Sequence, residues 1–419
     1  MLRSGHAMPA SDPGDVIETG TRGAQRATRI ISLDILRGVA VLAMIVANIP
    51  LFAVGLAAQT NPNAYGVLRG LDWWIWFLTY TLVSGRFTAI FAMLFGASIV
   101  ILDERRAIAG LPVARLHYRR MGALGALGLA HAYLIWWGDF LLPLAICGAL
   151  VFSYRELPPR RLLALGTAIV LVAPLVSVAL GASMPWWAPT PGGGDDPFWS
   201  PSPATIAAEL AAYRGGWRDQ MAHRVPTAYF METAHLGSRL IWQLGGLMIA
   251  GMGLYKLGVF SAIRSRRFYA AFVVLGFGLG VPSILMAVAR SYRHHWQARD
   301  FLLVGEPLSY LGGLFVGLGW VGLVMLLCQR APRLAPLAAV GQMALTNYLF
   351  QSLICTSIFY GHGLGQFGRI DRVGQLAIAL GVWVIQLAAS SWWLKRFSVG
   401  PIEWAWRSAA SGRRLPLRR

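Results

Sequence analysis

One histidine and one aspartate in the sequence are spaced so that they could carry out proton transfer together. His131 is followed, after a short stretch that ends in Trp-Trp-Gly, by Asp139. Because Gly138 allows the chain to turn, Asp139 could cap the next helix or fold back to hold the His131 imidazole in one tautomer. A histidine with a carboxylate partner is the usual arrangement of a general base. A histidine that only hydrogen-bonds between packed helices is the alternative interpretation.

A second charged pair lies at the start of the first apolar run. Asp34 and Arg37 are three residues apart, so on a helix they can form an ion pair. Two interpretations stay open: an ion pair at the border of a membrane span, or a group that holds an anionic ligand. Asn48 lies deeper in the same run.

Further polar residues occur inside apolar runs, where an ionisable group costs about 2.5 to 3.5 kcal/mol at the centre of a membrane helix. Such residues are expected where they are paired or where they line a functional path. We therefore predict a polar path whose candidate substrate-binding residues are Asp34, Arg37, Asn48, Arg86, Arg239, Asn347 and Gln351, together with Gln386. The path would end at the candidate catalytic residues His131 and Asp139.

The composition requires a membrane around this chain. Of the 419 residues, 56% are apolar and only 13% are charged, and the mean hydropathy is +0.54. Soluble domains carry about a quarter charged residues, so an ordinary soluble enzyme is excluded. The net charge of +19 needs no nucleic-acid partner, because lysine and arginine accumulate in the cytoplasmic loops of membrane proteins. The three cysteines lie in apolar runs without metal-ligand spacing, so we expect no metal site.

The apolar runs predict an all-α, polytopic membrane protein with about ten transmembrane helices. A helix needs about 20 residues to cross the hydrocarbon core, and runs near that length occur at residues 39–58, 73–102, 120–137, 140–154, 162–182, 236–260, 268–289, 307–328, 338–360 and 374–394. The second run is too long for one crossing, and we expect it to break at residues 84–86. Residues 29–407 would form a single transmembrane domain, between a disordered cytoplasmic tail at residues 1–28 and a basic cytoplasmic tail at residues 408–419.

The distribution of positive charge predicts the orientation. With the N-terminus inside, 26 of the 37 lysines and arginines fall on the cytoplasmic side, in accord with the positive-inside rule. Both termini are therefore expected in the cytoplasm, and the chain is expected to be a multi-pass protein of the cell (inner) membrane. The loop at residues 183–234 would be extracytoplasmic. In it we expect an interfacial helix that is capped by Ser202 and carries Tyr213 and Trp217 on one face.

Two blocks of sequence resemble the YeiB-like family of bacterial membrane proteins. The blocks comprise residues 32–38 and 44–48 at the start, and residues 341–352, 359–365 and 400–407 at the end, and residues 94–97 and 131–139 also resemble that family. The first block is similar, in addition, to that of the heparan-alpha-glucosaminide N-acetyltransferases. Those enzymes move an acetyl group from cytosolic acetyl-CoA across a membrane.

The match to those acetyltransferases is incomplete in two places. Asn48 corresponds to an asparagine at the end of their first-span pattern. Residues 51–72 contain no histidine, although those enzymes carry their catalytic histidine shortly after the first span. Gln342 stands where the terminal block is expected to have an arginine. His131 is therefore a substitute inferred from its position.

The resemblance implies a transmembrane acyltransferase that moves an acyl group from cytoplasmic acyl-CoA, such as acetyl-CoA, to a hydroxyl or amine of an extracytoplasmic acceptor. Here Arg37 faces the donor phosphate, His131 deprotonates the acceptor and Asp139 orients His131. The expected partners are membrane lipid and a sugar or envelope-glycan acceptor, and a homodimer is left open. The alternatives are a small-molecule transporter or exporter and a non-catalytic membrane partner of an enzyme.

Overall fold

The chain folds into α-helices joined by loops and by short π-helical and 3-10 segments. The computed structural model describes residues 30–108, 113–187, 199–330 and 334–418, so the tail predicted at residues 1–28 lies outside the described residues. We number the α-helices of eight or more residues as α1 (Ile31–Ala53), α2 (Gly70–Leu82), α3 (Arg86–Ile108), α4 (Val113–Ala130), α5 (Leu141–Val151), α6 (Pro159–Val170), α7 (Val172–Ser183), α8 (Pro203–Arg214), α9 (Trp217–Phe230), α10 (Ile241–Lys256), α11 (Arg266–Arg293), α12 (Glu306–Cys328), α13 (Ala335–Gln342), α14 (Ala344–Phe359), α15 (Arg372–Arg396) and α16 (Pro401–Ser411). No β-strand occurs in these described ranges, and the predicted all-α class is confirmed.

Six of the described helical segments are long and apolar enough to cross a membrane, namely Ile31–Ala53, Gly70–Ile108, Pro159–Trp186, Arg266–Arg293, Ala298–Cys328 and Arg372–Arg396. They confirm that this is a membrane protein with transmembrane helices. The other four apolar runs fall on shorter or interrupted helices. The number of about ten crossings therefore stays a prediction.

The runs at residues 73–102 and 338–360 are each divided between two α-helices. The run at residues 73–102 breaks where the sequence predicts, between α2 and α3, and Gly85 has a φ of +76° at the break. Glycine reaches this left-handed conformation without a steric cost. The sequence predicts one helix over residues 338–360, but the structure has two: α13 ends at Gln342 and α14 begins at Ala344.

Glu403 explains why α14 can begin inside an apolar run. One carboxylate oxygen accepts hydrogen bonds from the N–H groups of Leu345 and Thr346, at 2.7 and 3.1 Å, and the other accepts one from the Thr346 hydroxyl at 2.5 Å. The first N–H groups of a helix lack partners within the helix, and its N-terminus favours negative charge. The buried carboxylate of α16 supplies both requirements.

The helix predicted to start at Ser202 is present, but it ends earlier than expected. The Ser202 hydroxyl accepts a hydrogen bond from the N–H of Thr205 at 3.2 Å and so caps α8. Gly215 and Gly216 then adopt extended backbone, with ψ of −176° and 174°, and Trp217 begins α9. The single apolar face predicted to include Trp217 is therefore wrong.

The two ends of the helix bundle differ in their chemistry. At one end, which we call the basic end, Arg155 donates to Asp103 at 2.7 Å and Lys256 donates to the carbonyl oxygen of Arg155. At the other end, α8, α9 and residues 360–371 form a layer that we call the roof. The roof is joined to the bundle by the N–H of Gly368, which donates to the carbonyl oxygen of Ala53 at the end of α1.

Glycines allow several helices to approach closely. At the contact of α11 with α12, a methyl group on Gly276 would overlap the backbone of Gly319. Helix α1 approaches α13 in the same way, because a methyl group on Gly341 would overlap the carbonyl oxygen of Asp34. Small residues at helix contacts are the usual means of close packing in membranes. The two sequence blocks at the start and end of the chain therefore pack directly against each other.

Replacement of Gly341 by alanine should destabilise the fold, because the added methyl group meets backbone atoms that cannot move aside. We expect a loss of about 1–3 kcal/mol, as in overpacked cores, and it should appear as a lower melting temperature in detergent. Gly381→Ala is the matched control, since Gly381 of α15 has open space around it. Equal melting temperatures for the two variants would contradict the close contact between α1 and α13.

Candidate functional site

His131 and Asp139 form a hydrogen-bonded pair in the interior. The Nδ1 atom of His131 lies 2.8 Å from Oδ1 of Asp139, and both side chains are fully buried. The other imidazole nitrogen, Nε2, is buried and has no hydrogen-bond partner. A histidine held by a carboxylate on one side, with the other nitrogen available, is arranged to accept a proton from a bound group.

The chain between the two residues is shaped to bring them together. Helix α4 gives way to a π-helical turn at His131–Ile135, and such π-helical segments are frequent at functional sites. Asp139 then lies just before α5, where its second oxygen accepts a hydrogen bond from the N–H of Leu142 at 2.7 Å. The sequence predicts that Asp139 either caps a helix or holds His131, and the structure shows that it does both.

Tyr348 and Glu232 complete the surroundings of this pair. The Tyr348 ring on α14 lies 5.3 Å from the imidazole, and its hydroxyl donates to the carbonyl oxygen of Gly138 at 3.3 Å. Glu232 interacts electrostatically with Asp139, and both of its carboxylate oxygens are buried without a hydrogen-bond partner. Sequence reasoning missed Glu232, because it lies outside the predicted apolar runs. An acidic residue four positions before such a run was the available signal.

Asp34 and Arg37 lie on the part of α1 nearest the basic end, and they form the predicted pair. The Nη1 atom of Arg37 is 3.2 Å from Oδ1 of Asp34, and Nη2 donates to the Ser98 hydroxyl of α3 at 3.0 Å. The Arg37 side chain is 22% exposed. Arg37 is therefore held in place by two neighbouring side chains, and part of its own side chain is exposed.

The distance between this pair and His131 can be measured along α3. Ser98 contacts Arg37, and Phe91 packs against Phe140 next to Asp139, with ring centroids 6.3 Å apart. Seven residues of α-helix correspond to about 10 Å. The two predicted sites are therefore separated by about that depth in the bundle.

The buried amides of α14 and α15 bind one another. Gln351 donates to the side chain of Gln386 at 3.0 Å, and Gln386 donates to the carbonyl oxygen of Asn347 at 2.8 Å. Asn347 donates in turn to the Ser390 hydroxyl at 3.0 Å. Such bonds join helices in membranes. Asn48 is half-buried on α1, and no hydrogen bond links it to this network in the described part of the chain.

Arg86 and Arg239, which are far apart in sequence, approach the same helix. Arg239 forms an ion pair with Glu306 at the start of α12, and Arg86 lies beside Gly313 on α12. The Arg239 side chain is 35% exposed, whereas Arg86 is buried. The contact with Glu306 was not predicted, because Glu306 stands at the edge of an apolar run without a partner nearby in sequence.

The roof lies directly against the π-helical turn that carries His131. Arg224 of α9 is fully buried and donates to the carbonyl oxygen of Leu134 at 2.8 Å. Tyr65, in the loop between α1 and α2, donates a hydrogen bond to Glu209 of α8 in the roof. Burial raises the pKa of Glu209 to about 7, and the hydrogen bond from Tyr65 opposes this shift. Burial of the Tyr65 hydroxyl, together with the charge of Glu209, raises the pKa of Tyr65.

The described residues provide no group of three or more histidine, cysteine, aspartate or glutamate side chains that could hold a metal ion.

The raised pKa of Glu209 predicts a pH-dependent stability. The folded protein binds the Glu209 proton more tightly than the unfolded chain, whose glutamate pKa is 4.5, so stability should fall as pH rises from about 4.5 to about 7. Glu209→Gln cannot ionise at this position. The melting temperature of this variant minus that of the unaltered protein should therefore increase as the pH rises over that interval. Glu156→Gln, at a side chain that is 73% exposed, is the control. A difference between Glu209→Gln and the unaltered protein that stays constant from pH 5 to pH 8 would contradict this account.

Comparisons with known proteins identify a family and several relatives of this chain. Residues 254–413 match a family described as a protein of unknown function, DUF418. The chain is 27% identical to uncharacterized protein YxaH of Bacillus subtilis, with 91% of this chain and 94% of YxaH covered. It is 26% identical to an uncharacterized 39.9 kDa protein in the amylase 3′ region of Bacillus acidopullulyticus, with 93% of this chain and 96% of that protein covered.

A further relative establishes the family over almost the whole length. The chain is 32% identical to uncharacterized protein YeiB of Escherichia coli over 392 residues, which cover 90% of this chain and 95% of YeiB. The chain therefore belongs to the YeiB-like DUF418 family of membrane proteins.

Proposed function

We propose that this protein is a transmembrane acyltransferase that moves an acyl group from cytoplasmic acyl-CoA to a hydroxyl or amine of an extracytoplasmic acceptor. The observation that carries the proposal is the fully buried His131–Asp139 pair with an unpartnered Nε2 atom. A histidine that served only to join helices would have its second nitrogen bonded as well, because an unpaired polar atom is costly in an apolar interior.

The residues present can carry each proton movement of acyl transfer. Nε2 of His131 takes the proton of the acceptor hydroxyl or amine as that group attacks the thioester carbonyl carbon. The carbon–sulfur bond then breaks, and the imidazolium returns the proton to the departing CoA thiolate. Asp139 stabilises the imidazolium while it exists, as the carboxylate does in a catalytic triad. The products are the acylated acceptor and free CoA, and His131 is neutral again.

The donor would bind at the basic end. There Arg37 would hold a CoA phosphate through parallel hydrogen bonds, with Asp34 and Ser98 fixing its direction. The separation of about 10 Å along the helix axis is one that the pantetheine arm of CoA can bridge. Asn48 lies eleven residues beyond Arg37 on α1, about 16 Å along the helix axis, so it would line the route on the acceptor side, past His131. Asn347 and Gln351 would keep α14 and α15 together along the route.

The proposal places the chain in the cell (inner) membrane as a multi-pass protein with both termini in the cytoplasm and the roof outside. Its support is the charge count in the sequence and the basic residues gathered at one end of the bundle. The acceptor would be a sugar or an envelope glycan beneath the roof.

Reporter fusions test this orientation. Fusions after Arg267 and after Arg414 should report a cytoplasmic position, and a fusion in the α8–α9 turn at Gly215 should report an extracytoplasmic one, because the basic loops are retained inside. A cytoplasmic reading at Gly215 would overturn the orientation and the roles that depend on it. A fusion at Gly193, in the same loop but outside the described residues, should agree with the one at Gly215.

Substitution of His131 tests the chemistry. His131→Gln keeps hydrogen-bonding capacity and approximate size, so acyl-CoA binding and folding should persist while transfer or exchange of the acyl group slows by about 10²- to 10⁴-fold. Asp139→Asn should also lower the rate, although its amide oxygen can still cap α5. The measurement is turnover of labelled acetyl-CoA by purified protein, together with the melting temperature.

His117→Gln is the matched control, because His117 is a buried histidine at the basic end that contacts the carbonyl oxygen of Gly148 at 3.0 Å. It should change stability and leave the rate per folded molecule unaltered. A destabilised His131→Gln protein with full rate would remove His131 from the chemistry. Unaltered protein that neither hydrolyses nor exchanges acyl-CoA would favour a transporter or a non-catalytic partner instead.

A further inference from the structure

One edge of a buried guanidinium has no partner. Arg86, the first residue of α3, is 6% exposed, and its Nη1 atom donates to the carbonyl oxygen of Ser84. Its Nε and Nη2 atoms are buried without a hydrogen-bond partner. These two nitrogens form the side-on edge of the guanidinium, whose parallel N–H groups match the two oxygens of a carboxylate or phosphate.

Arg290 shows in the same molecule what such an edge binds. Its Nε and Nη2 atoms donate to the two carboxylate oxygens of Asp300, at 3.1 and 2.6 Å. The corresponding edge of Arg86 is more deeply buried and has no carboxylate to meet. A buried guanidinium without a counter-charge is strongly unfavourable in a membrane protein and marks a functional position.

The charges near Arg86 do not neutralise it. Arg239 pairs with Glu306, and its guanidinium lies 5.4 Å from the ring centroid of Tyr310. A Cβ on Gly313 would lie 3.3 Å from Cζ of Arg86. Glu306, Tyr310 and Gly313 are four and three residues apart, so they lie on one face of α12. Two guanidiniums and one carboxylate therefore share this face, and a positive charge is left over.

Neutral groups and a crevice complete the site. Tyr80 lies beside Arg86: the Cζ atom of Arg86 is 5.8 Å from the centroid of the Tyr80 ring. The Tyr80 hydroxyl is 2.9 Å from the Ser309 hydroxyl. Tyr80 and Ser84, which both contact Arg86, also line a narrow crevice of about 20 Å³ among residues of α1, α2 and α15, which is room for a water molecule. The crevice therefore reaches two of the residues that surround the guanidinium.

We infer that the Nε and Nη2 edge of Arg86 binds an oxyanion, a carboxylate or a phosphate group, carried by a ligand that reaches it between the helices. Arg239 adds positive electrostatic potential to the site, and the Glu306 carboxylate reduces that potential. The inference deepens the proposed function, and one consequence of it rests on that function: the acyl acceptor would carry a carboxylate or phosphate group. The oxyanion site itself is independent of acyl transfer and can be tested without acyl-CoA.

Ligand-induced stabilisation measures the site directly, because a ligand that binds the folded state raises the melting temperature in a saturable manner. In one arm, inorganic phosphate and acetate are titrated into protein in a maltoside detergent, with chloride at equal ionic strength as reference. In the other arm, protein in nanodiscs of phosphatidylcholine receives increasing phosphatidic acid in phosphate-free buffer. Saturation in the first arm identifies a free or water-soluble oxyanion, and saturation in the second alone identifies a lipid headgroup.

The variants decide whether Arg86 is responsible. Arg86→Gln should weaken binding by about tenfold or more, and Arg86→Lys, which keeps the charge but lacks the side-on edge, should also bind more weakly than the unaltered protein. If Arg86→Gln does not fold, Arg86→Lys carries the test. Arg293→Gln removes the same charge from an exposed position on α11 and should bind as the unaltered protein does. Absence of saturable stabilisation in both arms, or equal affinity in Arg86→Lys and the unaltered protein, would overturn the inference.

Discussion

A carboxylate in an apolar interior is stabilised by the hydrogen bonds that it accepts, and Asp139 accepts two. One comes from the imidazole of His131 and the other from the N–H of Leu142 at the start of α5. The same side chain thus caps a helix and orients the histidine. The roof packs on the turn through Arg224, and Tyr348 approaches the imidazole from α14. The position of α14 depends in turn on Glu403, which stabilises its N-terminus.

The sequence blocks that resemble the YeiB-like family have a structural role in this arrangement. The block that begins at Ser32 packs against the block that begins at Gly341, because two backbones meet where neither has a side chain. The block that contains Glu403 stabilises the N-terminus of α14, which precedes that block in the chain. Most residues of these blocks therefore set the position of α1 and α14, between which the proposed donor route passes. Arg37, in the first of these blocks, has a partly exposed side chain.

Local relations could be predicted from the sequence, whereas contacts between distant segments could not. The Asp34–Arg37 pair, the Ser202 cap and the His131–Asp139 contact each join residues at most eight positions apart, so spacing was sufficient to suggest them. The break at Gly85 also followed from a local signal. Glu232, Glu306 and Glu403 act on residues far away in the chain, and one sequence does not show which helix faces meet. For the same reason the amides of α14 and α15, which the sequence places on a polar path, proved to bind one another.

The central claim is that His131 receives an acyl acceptor on one side of the membrane while acyl-CoA binds from the other. Vectorial transfer in sealed proteoliposomes of known orientation tests it most directly. Labelled acetyl-CoA is supplied on the side of the basic end, and a mixture of neutral, acidic and amino sugars is trapped on the side of the roof. The account predicts acetylated sugar in the compartment of the roof, and none with His131→Gln protein. Intact acetyl-CoA in that compartment, or no more labelled sugar than His131→Gln protein produces, would contradict it.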